Sequence, residues 1–223
     1  MTQTSDRPSR GSRRSETPRG DSAVTRETLV NVAQSLFTEL GYANTSLDAI
    51  VSGAEVTKGA LYHHFSSKQA LFEAVFARME EAAAAQMSAV AERETEPWVM
   101  VDVALRTYIE VVQSPGYRRV VLQDGPSVLG YERYRAQEEA STYAIVIDIA
   151  RSAINAGTWD LDDPLLATFA QVFFGALSAA GTAVAASEDP AAAAGRAEAV
   201  VGFILQGIRG LVEQGIQPED PAH

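Results

Sequence analysis

Apolar residues recur at helical spacing along most of this chain. Leu29, Val32, Ala33, Leu36, Phe37 and Leu40 follow the i, i+3, i+4 rhythm of a helix with one buried stripe. Thr25 is placed to cap that helix, Glu27 suits its first turn, and Gly41 stands where a left-handed residue would stop it. A second stripe, Leu71, Val75, Phe76 and Met79, opens on Ser66 and Gln69 at capping-box spacing. Later helices are predicted to begin near Pro97, Tyr131, Pro164 and Ala191. Breaks are predicted at Ser114-Pro115-Gly116, Asp124-Gly125-Pro126, Asn155-Ala156-Gly157 and Ser187-Glu188-Asp189-Pro190. The aliphatic run 143–149 sits inside a helical pattern, and no segment alternates as a strand bounded by hairpin turns. The expectation is an all-α fold of about nine helices.

Residues 45–65 hold the most specific pattern. Thr45 and Asp48 make a capping box for a short helix that would bury Leu47 and Ile50. Gly53-Ala54-Glu55-Val56 then supplies a tight turn with a small residue and an apolar plug. Thr57 can cap a second short helix whose Leu61 and Phe65, four apart, face inward. Lys58, Gly59, Tyr62 and His63 are left outward. Two short helices, a turn and a polar outer face on the second are what docking in a DNA major groove requires. Lys58 can neutralise a phosphate or reach a guanine edge, and Gly59 lets the backbone approach closely. Tyr62 offers a ring and a hydroxyl, and His63 a donor. Thr45, Thr57 and Lys68 lie at helix N-termini, which suit phosphate, and Arg26 is a further nearby cation. The blander reading makes Tyr62 a core residue. A metal at the adjacent histidines is disfavoured, because helix neighbours diverge by about 100° and no third ligand completes a site.

The net charge of −11 changes this picture only through its distribution. Residues 1–70 carry eight Lys/Arg against seven Asp/Glu; the remainder carries ten against 22. The acidity belongs to the last two thirds, which leaves the N-terminal part free to meet phosphate. With no cysteine, disulfides and thiolate chemistry are excluded, and neither metal nor cofactor is expected. Residues 1–22 hold Arg7, Arg10, Arg13, Arg14 and Arg19 without the apolar stretch of a signal peptide. They read as a disordered tail or as a basic arm for DNA. Residues 165–186 carry no formal charge and are long enough to span a bilayer. Their Thr, Gln and Ser, the acidic flanks and the missing aromatic belt favour a helix buried on nearly all sides of a protein. A cytoplasmic protein outside the membrane is expected.

Phe37 through Phe76 resembles the DNA-binding domain of TetR/AcrR-type regulators. The matching residues are G-Y-x-x-T-S-L-x-x-I, then V-T-K-G-A-L-Y-H-H-F-x-S-K-x-x-L-F. The resemblance implies a homodimer, DNA reading by residues 57–63 at a palindromic operator, and a C-terminal domain that senses a small molecule. It implies domains at 23–68 for DNA and 69–217 for ligand and dimerisation, usually in a repressor. The pattern's usual glycine is Glu55 here; if that turn residue is left-handed, Glu costs roughly 1 kcal/mol. The last two long helices, near 165–186 and 191–214, would pair with their mates as a four-helix bundle. Their own residues agree: Gly175, Ala176, Ala179, Ala180 and Ala183 permit close approach, and Val200, Val201, Ile204, Leu205, Ile208, Leu211 and Val212 form a broad apolar face.

A ligand pocket is expected between the middle helices, with Trp98, Tyr108, Tyr131, Tyr143 and Phe173 as candidate lining; core packing accounts for each about as well. Arg119 and Asp124 are candidate polar anchors or a surface ion pair. An all-α enzyme is the second reading, but the remaining histidine is His223 and no carboxylate spacing selects an acid/base pair. The third is a ligand-binding dimer that has lost DNA binding, against which Lys58, Gly59, Tyr62, His63 and Lys68 stand together.

Overall fold

The computed structural model describes residues 19–155, 159 and 161–216. All of the arginine-rich stretch before Arg19, and part of the expected break at Asn155-Ala156-Gly157, lie outside the described residues. The fold is all-α. Helix α1 (Arg19–Asn44) is followed by α2 (Leu47–Gly53), α3 (Lys58–His64), α4 (Lys68–Ala91) and α5 (Pro97–Gln113). A π-helical stretch, Tyr117–Asp124, runs directly into α6 (Gly125–Leu129). Helix α7 (Tyr131–Glu138) passes through a second π stretch, Glu139–Tyr143, into α8 (Ala144–Asn155). Two long helices follow, α9 (Asp163–Ala186) and α10 (Pro190–Glu213). Joined across the π turns, these make nine helical runs among the described residues.

Several boundaries differ from the sequence pattern for local reasons. Thr25 lies inside α1 and does not open it. At Gly41 the backbone takes positive φ as expected, but with extended ψ (78°, 165°), so the helical run kinks and continues to Asn44. At that φ a side chain would be strained, and a β-carbon at Gly41 would also push the Arg119 guanidinium aside. Ser46, not Thr45, caps α2 by accepting from the Ala49 N–H (3.1 Å). Ser67, not Ser66, caps α4 through Ala70 (3.0 Å), while Gln69 donates to the Val128 carbonyl at 2.8 Å. The Asp124-Gly125-Pro126 break does not occur. Pro126 sits in the first turn of α6, where its missing N–H costs nothing, and the chain turns instead at Gly130 (φ 77°).

Leu29, Phe37, Ile50 and Leu61 form a small core under α1, α2 and α3, each 0% exposed. Helix α4 enters that core: the Phe37 and Phe72 rings meet edge-on at 5.3 Å, and Tyr42 and Phe72 at 5.1 Å. A domain boundary at 68/69 therefore falls before residues that serve the N-terminal core. Arg78 of α4 fastens α1 by donating to Glu27 (3.1 Å), Asn31 (2.5 Å), the Val30 carbonyl (3.3 Å) and Gln34. Farther along, α4 packs against α5, α8 and both π stretches.

Glu80 sits on the buried stripe of α4 at 1% exposure. Its Oε1 accepts from the Tyr117 hydroxyl at 2.5 Å, and its Oε2 from Ser141 (2.8 Å) and Thr142 (3.0 Å). Tyr117 opens one π stretch and Ser141 and Thr142 lie in the other, so both irregular turns present their hydroxyls to this carboxylate. A buried carboxylate without such donors would be strongly destabilising. Replacing Glu80 with Ala strands the Tyr117 and Thr142 hydroxyls, while Ser141 keeps the Gln137 carbonyl (3.0 Å), and should cost about 3 kcal/mol. Urea unfolding at fixed protein concentration measures this, and a loss under about 1 kcal/mol would contradict the assignment.

Helix α9 is less buried than its apolar run suggests, and α10 leaves the broad apolar face read from its sequence largely exposed. Both are long and apolar enough to cross a membrane, yet only 33% and 17% of their most apolar windows are buried in the single chain. Leu166, Phe174, Leu177 and Val201 face the core, while Val172, Val200, Phe203, Ile204 and Leu211 stay exposed.

Candidate DNA-binding face and ligand cavity

Helices α2 and α3 are held by their inward residues. Ile50 and Leu61 are 0% exposed and Phe65 5%, which pins each short helix to α1. The connecting turn is closed by Ala54 donating to the Ile50 carbonyl (2.9 Å) and Val56 to the Val51 carbonyl (3.2 Å). Glu55 carries the one positive non-glycine φ among the described residues, 54°. Gly53 does not relieve it. That glycine is needed for another reason, since a β-carbon there would lie 2.8 Å from Val32 Cγ1.

Thr57 caps α3 by accepting from the Ala60 N–H at 3.1 Å. Lys58, Gly59, Tyr62 and His63 all stand exposed on the outward side, with Tyr62 57% exposed. The Lys58 ammonium pairs with Asp48 of α2 at 2.7 Å, a contact that raises its pKa. A phosphate must therefore compete with Asp48 for this lysine. Arg26 lies over the Phe65 ring, 5.3 Å from its centroid, beside the same face.

Two of the eight candidates are placed differently. Thr45 is 1% exposed, and its hydroxyl is shared between the carbonyls of Gly41 (2.9 Å) and Leu36 (3.2 Å), so it ties the end of α1 and cannot meet DNA. Lys68 is half-buried with its ammonium 4.2 Å from the Tyr42 ring centroid. Burial lowers its pKa against the opposing pull of Asp124.

Asp124 completes this joint. Its Oδ2 accepts the Tyr42 N–H at 2.8 Å and faces Arg119 Nε at 3.5 Å, while Arg119 lies against Gly41. With Gln69 held by Val128, the segment 119–128 clasps the ends of both α1 and α4. Arg119 and Asp124 thus belong to the junction between the two cores.

A cavity of about 50 Å³ lies in the C-terminal body between α4, α5, α8, α9 and α10. Trp98, Tyr108 and Phe173 line it, together with Met87, Leu105, Ile149 and Phe169. Tyr131 does not, being 74% exposed beyond the Gly130 turn. Nor does Tyr143, whose ring packs on Phe174 (5.4 Å) and whose hydroxyl donates to the Ala167 carbonyl (3.3 Å). Beside the cavity Glu138, 5% exposed, accepts from Ser178 (3.0 Å) and Arg135 (3.3 Å), and burial raises its pKa. Tyr108 and Tyr134 are raised as well, by burial first and the Glu138 charge second.

Residues 29–75 match the family model of bacterial regulatory proteins, tetR family, and residues 98–208 match that of the tetracyclin repressor-like C-terminal domain. The chain belongs to the TetR family. That is a family of transcriptional regulators rather than enzymes, which sets the enzyme reading aside. The chain is 30% identical over 107 residues to the Transposon Tn10 TetC protein of Escherichia coli, covering 48% of this chain and 54% of that protein. Over 62 residues it is 39% identical to the HTH-type transcriptional regulator UidR of Escherichia coli strain K12, covering 28% and 32% of the two. The matches thus span about half of one relative and a third of the other. Among solved structures, a TetR-family transcriptional regulator from Pectobacterium atrosepticum superposes with a TM-score of 0.71 at 28% identity, over 85% of this chain and 96% of that one.

Sequence reasoning missed Glu80, although a signal was present: it stands four residues after Phe76 and three before Ala83, a carboxylate on an apolar stripe. It also missed Arg78 and the cavity's aliphatic walls, which nothing distinguishes from ordinary core. The Glu55 turn yields a direct check. Glu55→Gly removes left-handed strain but frees the unfolded chain, for a net gain of about 0.5 kcal/mol. Thermal melting should register higher stability, and a fall would show that Glu55 makes a compensating contact.

Proposed function

We propose that this chain is a ligand-responsive DNA-binding regulator, a repressor that grips a palindromic operator as a homodimer in the cytoplasm and is released by a small-molecule effector. The observation that carries the reading is the exposed face of α3, with Lys58, Gly59, Tyr62 and His63 outward on a short helix capped by Thr57. Arg26 and Thr57 flank that face and serve phosphates. Residues up to the first turns of α4 form the DNA-binding unit, and the rest the effector and dimer unit.

Dimerisation is supported by the apolar face that α9 and α10 leave uncovered. Val172, Val200, Phe203, Ile204 and Leu211 are exposed there, and Gly175, Ala176, Ala179 and Ala183 are exposed small residues that let a second pair of helices approach closely. Two-fold pairing would set two α3 helices against successive major grooves, about 34 Å apart. An effector in the apolar cavity acts on α4 through Met87, and α4 carries that displacement to α3. Because operator binding needs a fixed separation, a shift of a few ångströms lowers affinity.

The test is a mobility shift with DNA upstream of the chain's own gene. Lys58→Ala with Tyr62→Ala should weaken binding on the order of 100-fold, and wild-type affinity should fall steeply as salt rises. A double variant that binds as well as wild type would remove the α3 face from the mechanism. Absence of any salt-dependent binding by wild type would favour a ligand-binding dimer without DNA function.

A further inference from the structure

The chemistry of the cavity restricts what can enter it, and this rests on reading the cavity as the effector site. Its walls are hydrocarbon and sulfur almost throughout: Met87, Trp98, Leu105, Ile149, Phe173 and Leu205. No side chain lining it bears a formal charge. The Tyr108 hydroxyl is already engaged, donating to the Leu177 carbonyl at 3.3 Å. Arg209 stands over the Trp98 ring at 6.0 Å from its centroid but is taken by Glu213 at 2.8 Å. Arg135 is likewise paired with Glu138 and Glu139.

The Tyr108 hydroxyl keeps its proton, through burial first and the Glu138 and Glu80 charges second. An entering anion would lose its water and find no cation on the walls. A cation would lose its water as well and find only aromatic faces, with no carboxylate on the walls to pair with. Size is restricted too. The free space of about 50 Å³, taken for the centre of a water-sized sphere, is a few times the roughly 10–15 Å³ that one water requires. It is about a third of the roughly 150 Å³ of a dry cavity that holds benzene, so one ring is the upper limit and enters only as the walls move apart.

We infer that the cavity takes an uncharged, mainly hydrocarbon molecule of about one aromatic ring, and rejects the same skeleton once it carries a carboxylate or an ammonium group.

The experiment uses the full chain labelled with ¹³C-methyl methionine, titrated separately with toluene, benzoate and benzylammonium. Met87 lines the cavity, while Met79 and Met100 do not and act as internal controls. Toluene should shift the Met87 methyl signal saturably and leave the controls in place. Benzoate and benzylammonium should bind at least tenfold more weakly. Ala153→Leu, which fills the cavity from α8, should abolish the toluene response; the comparison of the three probes in wild type stands without that variant. Benzoate or benzylammonium matching toluene would overturn the inference, as would a Met87 signal indifferent to toluene. Neither result touches operator binding, so the mobility shift fails or succeeds separately from this inference.

Discussion

One helix, α4, is packed into both cores, and the arrangement of everything else follows from that. Its first turns place Phe72 against Phe37 and Tyr42 in the N-terminal unit. Its middle carries Glu80, which cannot be buried without donors and receives three of them from two π-helical stretches. Its later turns reach the cavity at Met87. A rod held at three levels cannot tilt at one end without disturbing the others, because packed interiors transmit displacement rather than absorb it. The clasp of Asp124 on Tyr42 and Val128 on Gln69 adds a second fastening at the junction itself.

Charge is arranged with the same economy. The acidic balance lies in the C-terminal two thirds, away from α3. On the outward face itself the cations are few, and Lys58 is engaged by Asp48 until something more negative displaces that carboxylate. In the proposed reading, backbone N–H groups at helix N-termini and the doubling of contacts in a dimer supply much of the grip. In that reading, a thin positive face makes affinity depend strongly on how accurately two copies of α3 are spaced.

Legibility in the sequence followed chemistry. The short helices of the N-terminal unit were readable because capping residues, the turn and two inward apolar residues coincide within twenty-odd positions, and the Thr57 cap and the left-handed residue at Glu55 were both visible there. Neighbouring hydroxyls were harder to separate: Ser46 and Thr45, or Ser67 and Ser66, offer the same group one residue apart, and burial of Thr45 decides between the first pair. The π stretches left no mark, because their wider turns serve a partner distant in sequence, Glu80. Aromatic residues in the body were equally ambiguous. Tyr108 on α5 faces the cavity while Tyr131, just beyond the Gly130 turn, faces solvent. The apolar character of α9 and α10 was plain, and much of it stays exposed in the single chain, as the pairing expected of these helices requires.

In the proposed dimer, the junction clasped by Asp124 fixes the bearing of α3, and hence its distance from the partner's α3. The chain has no cysteine, so a single Ser52→Cys on exposed α2 accepts one spin label per copy. The most direct measurement is the label-to-label distance distribution in the dimer, with Asp124 intact and with Asp124→Ala. One narrow distance is expected when Asp124 is present, and a shifted, broadened distribution without it. An unchanged distribution, or no inter-label distance at all, would contradict that expectation.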